Sequence, residues 1–218
     1  MSLEELREQN KNLVIEKALR CFIECGIDRT KIKDIARAAH LTERSVYRYF
    51  ETKADIVQAA AYLYWDITTK QVSKRVEEAG LDQMSGIDQI RALLTFYSNM
   101  YFENPRGIMF TLDAEMLLYN AGKNKEVLNR PPEPYEGSKS PLVLAIHKGI
   151  EDGSVSPKIN AKELYYNAYD SILSVMQKLA IEATGATELD NRARMKHLCD
   201  LFVFAFKGGL ADAESKFF

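Results

Sequence analysis

The chain has 218 residues, of which 46% are hydrophobic, and this is enough for one or two domains with substantial cores. Its formal net charge of −2 favours no particular partner, and no apolar stretch reaches the roughly 18 residues that a membrane span needs. The charge is uneven, because residues 1–53 carry a net +2 and the remainder carries −4. A basic segment on a mildly acidic protein indicates a nucleic-acid footprint at one end only.

The reactive residue types are sparse and scattered. Three cysteines (Cys21, Cys25 and Cys199) with no signal-peptide pattern before them predict reduced thiols in a cytoplasmic protein. The sequence contains no metal-ligand spacing, no Ser/His/Asp or Cys/His arrangement and no glycine-rich phosphate loop. We therefore expect no metal, no cofactor and no enzymatic activity.

Helix start and stop signals alternate along the whole chain. The first helix is expected to stop at Gly26, and two short helices follow between Thr30 and Phe50. A capping box at 52–55 begins a long helix that runs toward Gly80. The remaining predicted features are helices beginning at Ser85 with Asp88, at Asn104-Pro105, at Ser140-Pro141, at Asn160 with Glu163 (to Gly185) and at Thr187 with Asp190, and a loop at 129–140.

These signals predict an all-α protein of about nine helices. The N-terminal part, residues 1–53, is expected to be a three-helix helix-turn-helix DNA-binding domain. The rest, residues 54–218, is expected to be a larger helical bundle.

The two short helices carry the strongest functional pattern. Ile35, Ala36 and Ala39 form one apolar face, and Thr42 is a suitable N-cap for the second helix. The outward positions of that second helix hold residues that can hydrogen-bond to phosphates or base edges: Arg44, Ser45, Tyr47 and Arg48. Taken alone, two short amphipathic helices are common, so an ordinary packing role is the alternative.

A longer set of residues resembles the DNA-binding domain of the TetR family of bacterial transcriptional repressors. The residues that carry the resemblance are Thr30, Asp34-Ile35-Ala36, Val46-Tyr47-Arg48-Tyr49-Phe50 and Lys53. His40 departs from the family pattern, which usually has glycine in the turn. Histidine is among the residues that tolerate positive φ, so we still expect the turn to form.

We assign eight residues to DNA binding from this motif. Arg44 and Ser45 are expected to face base edges. The others, including those expected to hold phosphates, are Thr30, Thr42, Tyr47, Arg48, Tyr49 and Lys53.

The resemblance also implies that residues 54–218 are a ligand-binding and dimerisation domain. The last two helices, rich in apolar residues, would form a four-helix bundle across a homodimer, although they could instead only close the core of one subunit. The aromatic- and Met-rich middle of the chain would contain a pocket for a small-molecule effector, although most of these residues must be core. The candidate ligand-binding residues are Tyr62, Trp65, Tyr97, Tyr101, Met116, Tyr119, His147, Tyr166 and Asp170.

The resemblance therefore implies a dimeric repressor that binds a palindromic double-stranded operator and is released by a small hydrophobic or amphiphilic ligand. The alternative is an architectural or division-linked DNA-binding factor of the same fold, without a small-molecule inducer.

Overall fold

A computed structural model describes residues 2–123, 135–181 and 190–209, and within these ranges the protein is entirely helical. Nine α-helices and one 3₁₀ turn account for the regular structure of these residues, which confirms the predicted all-α fold. The elements are α1 (Leu3–Cys25), α2 (Ile32–Ala38), α3 (Glu43–Tyr49), α4 (Lys53–Glu78), the 3₁₀ turn (Leu81–Gln83), α5 (Gly86–Glu103), α6 (Pro105–Asn120), α7 (Pro141–Glu151), α8 (Ala161–Ile181) and α9 (Asn191–Phe206). None of these helices is long and apolar enough to span a membrane.

The described residues form two compact units whose boundary differs from the division predicted at residue 53. The first unit contains residues 2–68 and 106–123, and the second contains residues 69–105, 135–181 and 190–209. The first two-thirds of α4 and all of α6 except Pro105 thus pack with the N-terminal helices. This boundary reflects packing, so the functional division at 53/54 stays a prediction.

The first unit has one continuous core. Phe22 of α1 stacks on Phe110 of α6 with ring centroids 6.1 Å apart, and Tyr64 of α4 meets Phe110 edge-on at 5.8 Å. Val46 of α3 and Val57 of α4 are fully buried in the same cluster. The short helices α2 and α3 are therefore held by tertiary packing, since helices of seven residues are not stable alone.

Local capping defines the start of α4 as predicted. The Asp55 N–H donates to Thr52 Oγ1 (3.2 Å), and the Thr52 N–H donates to Asp55 Oδ2 (2.7 Å). This reciprocal pair satisfies two of the backbone donors that a helix start leaves without intrahelical partners.

In the second unit, α5 packs against α7, α8 and α9. Its first residue, Gly86, meets the backbone of α7 so closely that a Cβ atom there would lie 2.1 Å from the Gly149 nitrogen. The residues that follow α7 then cap α5: Asp152 Oδ2 accepts the Gly86 N–H at 2.7 Å, and Ser154 Oγ accepts the Ile87 N–H at 3.0 Å.

Two predicted boundaries require comment. Asp190, expected three residues inside the last helix, is instead the N-cap of α9, because its carboxylate accepts the Arg192 N–H. Thr187, Gly185 and the first half of the predicted loop at 129–140 lie outside the described residues, and residues 135–140 are not helical, as predicted.

Candidate nucleic-acid interface and ligand pocket

The turn between α2 and α3 forms without glycine. His40 has a φ of 55°, and it is the one non-glycine residue with positive φ among those that the structure describes. The Leu41 N–H donates to the Ala36 carbonyl at 2.9 Å across the turn. The predicted tolerance of His40 for this conformation is confirmed, and the turn brings α3 against α2.

Helix α3 has one anchored face and one exposed face. Thr42 caps it by accepting the Ser45 N–H at 3.1 Å, while Val46 and the following Phe50 are buried. Arg44, Tyr47 and Arg48 are exposed, and the exposed fraction of Tyr47 is 52%. A large aromatic side chain and two arginines left in water on a well-anchored helix form a surface suited to base edges and phosphates.

The remaining polar residues of α3 are partly engaged with one another. The hydroxyls of Thr42 and Ser45 lie 3.0 Å apart, and Arg48 Nη2 donates to Tyr49 Oη at 3.0 Å. The guanidinium of Arg48 also lies over the Tyr49 ring, 5.2 Å from its centroid. These contacts orient the polar side chains at both ends of the exposed face.

The phosphate contact predicted for Thr30 needs correction. Only 2% of Thr30 is exposed, and its hydroxyl lies 2.8 Å from the Gly26 carbonyl and 3.2 Å from the Cys21 carbonyl. A hydroxyl directed at carbonyls inside the protein is not presented to DNA. Thr30 instead ties the end of α1 to the start of α2.

Lys53 lies at the first position of α4 and is half-buried. Its Nζ donates to the Ile27 carbonyl at 2.5 Å. Burial lowers the pKa of the Lys53 ammonium, and the nearby charge of Asp28 partly opposes that shift. An ammonium has three donors, so this carbonyl bond is compatible with the predicted phosphate contact.

A pocket in the first unit lies between α4 and α6. It has room for about one water molecule, about 10 Å³, and is partly open to solvent. It is lined by Gln58, Ala61, Tyr62, Trp65, Phe110, Thr111, Ala114, Glu115 and Leu118. The lining is mainly apolar with a few polar groups, which is typical of small-molecule sites.

Only Tyr62 and Trp65 of the predicted ligand-binding residues line this pocket. Met116 and Tyr119 are not among the lining residues, because they lie on the outer side of α6, where they are 56% and 66% exposed. Sequence reasoning missed Gln58 and Ala61 as site residues. Their spacing relative to Tyr62 and Trp65 is that of one helix face and was the signal that could have identified them.

The other candidates belong to the second unit. A continuous series of ring contacts, through Tyr169, Tyr165 and Tyr135, connects three of them there: Tyr97, Tyr166 and His147. Tyr97 packs on Tyr169 at 4.9 Å, and Tyr101 Oη donates to the Leu179 carbonyl at 3.2 Å. Tyr166 Oη accepts the Tyr135 N–H at 3.0 Å. His147 and Asp170 are exposed. The three tyrosines thus pack on or bond to other residues of the second unit, and the ligand-binding role of all five candidates stays a prediction.

No group of three His, Cys, Asp or Glu side chains in the described ranges is arranged to hold a metal ion.

Comparison with known proteins gives a family match for the segment that contains α2 and α3. Residues 14–60 match the model described as "Bacterial regulatory proteins, tetR family". The HTH-type transcriptional regulator TtgR of Pseudomonas putida is 38% identical over 55 residues. That match spans 25% of this chain and 26% of TtgR, so it covers about a quarter of the relative's length.

Solved structures share the fold across nearly the whole chain. The fatty acid degradation regulator FadR of Bacillus halodurans has a TM-score of 0.60 at 16% identity, covering 88% of this chain and 94% of its own. RolR in complex with resorcinol has a TM-score of 0.62 at 14% identity, covering 98% and 96%. Residues 14–60 of the chain therefore match the TetR family, and the solved structures show the same fold around them. The matched segment contains the second half of α1, then α2, α3 and the first turns of α4.

Proposed function

We propose that this chain is a dimeric transcriptional repressor of the TetR family that leaves its operator when a small hydrophobic or amphiphilic molecule binds. The observation that carries the DNA-binding part is the exposed face of α3, where Arg44, Tyr47 and Arg48 project from a helix anchored by Val46. A capped, rigidly packed short helix with such a face fits the major groove.

The roles of these residues follow from their positions. Arg44 and Ser45 lie in the first turn of α3 and would meet base edges, because recognition helices contact bases with their N-terminal residues. Tyr47, Arg48, Tyr49 and Lys53 lie further along the chain and would hold phosphates. Thr42 shapes the start of the helix through its cap.

Binding-site selection from random DNA, followed by affinity measurements on the selected duplex, tests this proposal. Arg44→Ala should relax base preference and cost about 1–3 kcal/mol on the selected site. Lys53→Ala should weaken all sequences alike and reduce the salt slope by about one. The matched control is Arg20→Ala, which removes an exposed arginine of α1 that pairs with Glu24. Unchanged affinity and base preference in Arg44→Ala would refute the proposed reading face.

The dimer is proposed to form through α8 and α9. Leu201 and Phe204 of α9 are 64% and 54% exposed and lie three residues apart on one side of the helix. A two-fold contact between subunits would cover these two side chains. The dimer would then place its two copies of α3 on half-sites about 34 Å apart. Removing the chain from Thr187 onward should therefore give aggregated or monomeric protein with little operator affinity.

A point substitution separates interface loss from unfolding. Phe204→Glu should give a folded monomer in sedimentation experiments, with weaker operator binding. Leu144→Glu is the matched control, because Leu144 is 53% exposed on α7. A Phe204→Glu protein that remains a dimer would argue against this interface.

The effector is proposed to enter the pocket between α4 and α6. Its mainly apolar lining, with Gln58, Thr111 and Glu115 as polar groups, suits a hydrophobic body carrying a polar group. RolR was solved with resorcinol and FadR of Bacillus subtilis with stearoyl-CoA, so phenols and fatty acyl compounds form a rational first panel. A binder raises the melting temperature by mass action. A ligand that binds here without changing operator affinity would favour the inducer-free architectural factor.

A further inference from the structure

A second basic surface lies beside α3, formed with the N-terminal part of α1. It is an open groove of about 380 Å³ within the first unit. Its lining residues are Leu3, Leu6, Arg7, Asn10, Arg48 and Tyr49. The α1 residues of this groove precede the segment 14–60 that matches the family, so the match assigns them no role.

The pattern of α1 explains why these residues face α3. Leu3, Leu6, Arg7 and Asn10 recur at helical spacing on one face, and the next position of that face is Val14, which is fully buried. The face that packs into the core at Val14 therefore opens into a groove nearer the N-terminus.

The acidic residues of this part of α1 do not line the groove. Glu5 is engaged in the capping box, where its carboxylate accepts the Ser2 N–H at 2.6 Å. Glu4 and Glu8 lie about 100° or more around the helix from the centre of the groove face. The described lining thus contains two guanidinium groups and no carboxylate.

The chemistry of the groove matches the sugar–phosphate backbone of DNA. Arg7 and Arg48 can each present a planar fork to phosphate oxygens. Tyr49 Oη accepts a hydrogen bond from Arg48, and a phenol can still donate its own proton while it accepts. Leu3, 88% exposed, offers apolar surface for a deoxyribose.

We propose that this groove binds the DNA backbone, with Arg7 and Arg48 holding a phosphate beyond the bases that α3 reads. Two observations select this occupant: the positive charge of the lining, and the continuity of the groove with the exposed face of α3 through Arg48 and Tyr49. The inference rests on the proposed DNA-binding function and adds the N-terminal part of α1 to it.

The first test measures the affinity of the full chain for a random-sequence duplex as salt rises from about 50 to 200 mM. Arg7→Ala should reduce the salt slope by about 0.9, which corresponds to about fivefold weaker binding at 0.15 M salt. Arg7→Lys should keep the slope while losing part of the affinity, since it retains charge without the planar fork. Arg20→Ala, on the same helix but outside the groove, should match the wild type.

The second test scans neutral methylphosphonate linkages along a selected duplex. One position should weaken the wild-type protein about as much as Arg7→Ala does, and should weaken Arg7→Ala no further. This non-additivity identifies the phosphate that Arg7 contacts.

The outcomes separate the two proposals. A wild-type protein that binds no DNA overturns both. If Lys53→Ala loses salt slope but Arg7→Ala does not, the groove proposal is overturned and the DNA-binding function stands. Equal reductions of the salt slope in Arg7→Ala and Arg20→Ala would indicate a general effect of positive charge and would also overturn the groove proposal. A change in oligomeric state without a change in slope would identify a protein contact instead.

Discussion

Lys123 Nζ donates to Asp55 Oδ1 at 2.6 Å, and this ion pair links the chain three residues after the end of α6 to the capping box that begins α4. The second oxygen of Asp55 accepts the Thr52 N–H and the Thr52 hydroxyl, each at 2.7 Å. The Asp55 carboxylate thus caps the start of α4, the helix that follows the helix-turn-helix. It also binds Lys123, close to the end of α6, which lines the pocket. Burial alone would raise the pKa of Asp55, but the bonds from Lys123 and Thr52 hold it below its ordinary value.

Lys123→Met should therefore lower the free energy of unfolding at neutral pH and make this free energy less sensitive to acid. Because the folded-state pKa of Asp55 lies below its unfolded value, its contribution is fully present above about pH 4 and is lost as the pH falls through the folded pKa. We expect a loss of about 1 kcal/mol or less at pH 7, shrinking toward zero as Asp55 is protonated. Urea unfolding at pH 7 and at about pH 3 measures this. Lys74→Met is the control, because its pair with Glu78 is far more exposed. Equal losses at both pH values would contradict the role of Asp55.

Gly86→Ala should destabilise the second unit strongly. Its Cβ would meet the Gly149 nitrogen and Cα at 2.1 and 2.2 Å, and backbone atoms cannot move aside locally. We expect a cost of about 3 kcal/mol or more in denaturant unfolding, at the upper end for overpacked sites.

Gly149→Ala provides the comparison for Gly86→Ala. The nearest obstacle to a Cβ at Gly149 is a side-chain methyl of Val155, at 2.3 Å. Val155→Ala should therefore rescue part of the stability of Gly149→Ala and none of that of Gly86→Ala. A similar rescue of both variants would mean that the two helices do not meet through their backbones at Gly86.

Thr30→Val should affect folding rather than DNA contacts. The valine keeps the buried shape but removes the hydroxyl that faces the Gly26 and Cys21 carbonyls, at an expected cost of about 1–2 kcal/mol. The folded variant should show the wild-type salt slope in DNA titrations, in contrast to Lys53→Ala. A reduced slope with unchanged stability would restore Thr30 as a phosphate contact.

Ala61→Phe should block effector binding while leaving the reader intact. Ala61 lines the pocket beside Tyr62 and Trp65, so a phenyl ring there would occupy ligand space. Trp65 is the only tryptophan, and its fluorescence should report ligand entry in the wild type and no change in the variant. Ligand and operator should oppose each other with a coupling of about 1–3 kcal/mol in the wild type. A ligand that still shifts operator affinity in Ala61→Phe would bind elsewhere.

The sequence alone determined the elements that depend on neighbours three or four residues away. The capping box at Thr52 and Asp55, the N-cap at Thr42 and the stop at Gly26 are contacts within one helical turn, and the spacing of residue types records them directly. The anchored and exposed faces of α3 follow from helical periodicity in the same way. The left-handed turn at His40 could also be predicted from the sequence, because it depends on the conformational range of a single residue.

Only the tertiary structure decided which of these elements meet. Asp152 caps α5 from 66 residues away. Thr30 is buried because the chain after α1 folds back against the end of that helix. The pocket is lined by α4 and α6, although the aromatic content of α5 and α8 suggested those helices equally. Periodicity identifies the apolar face of a helix but not its partner, because hydrophobic burial is non-directional and many pairings would satisfy it. Backbone contacts such as Gly86 with Gly149 select among those pairings, and they are visible only once the chain is folded.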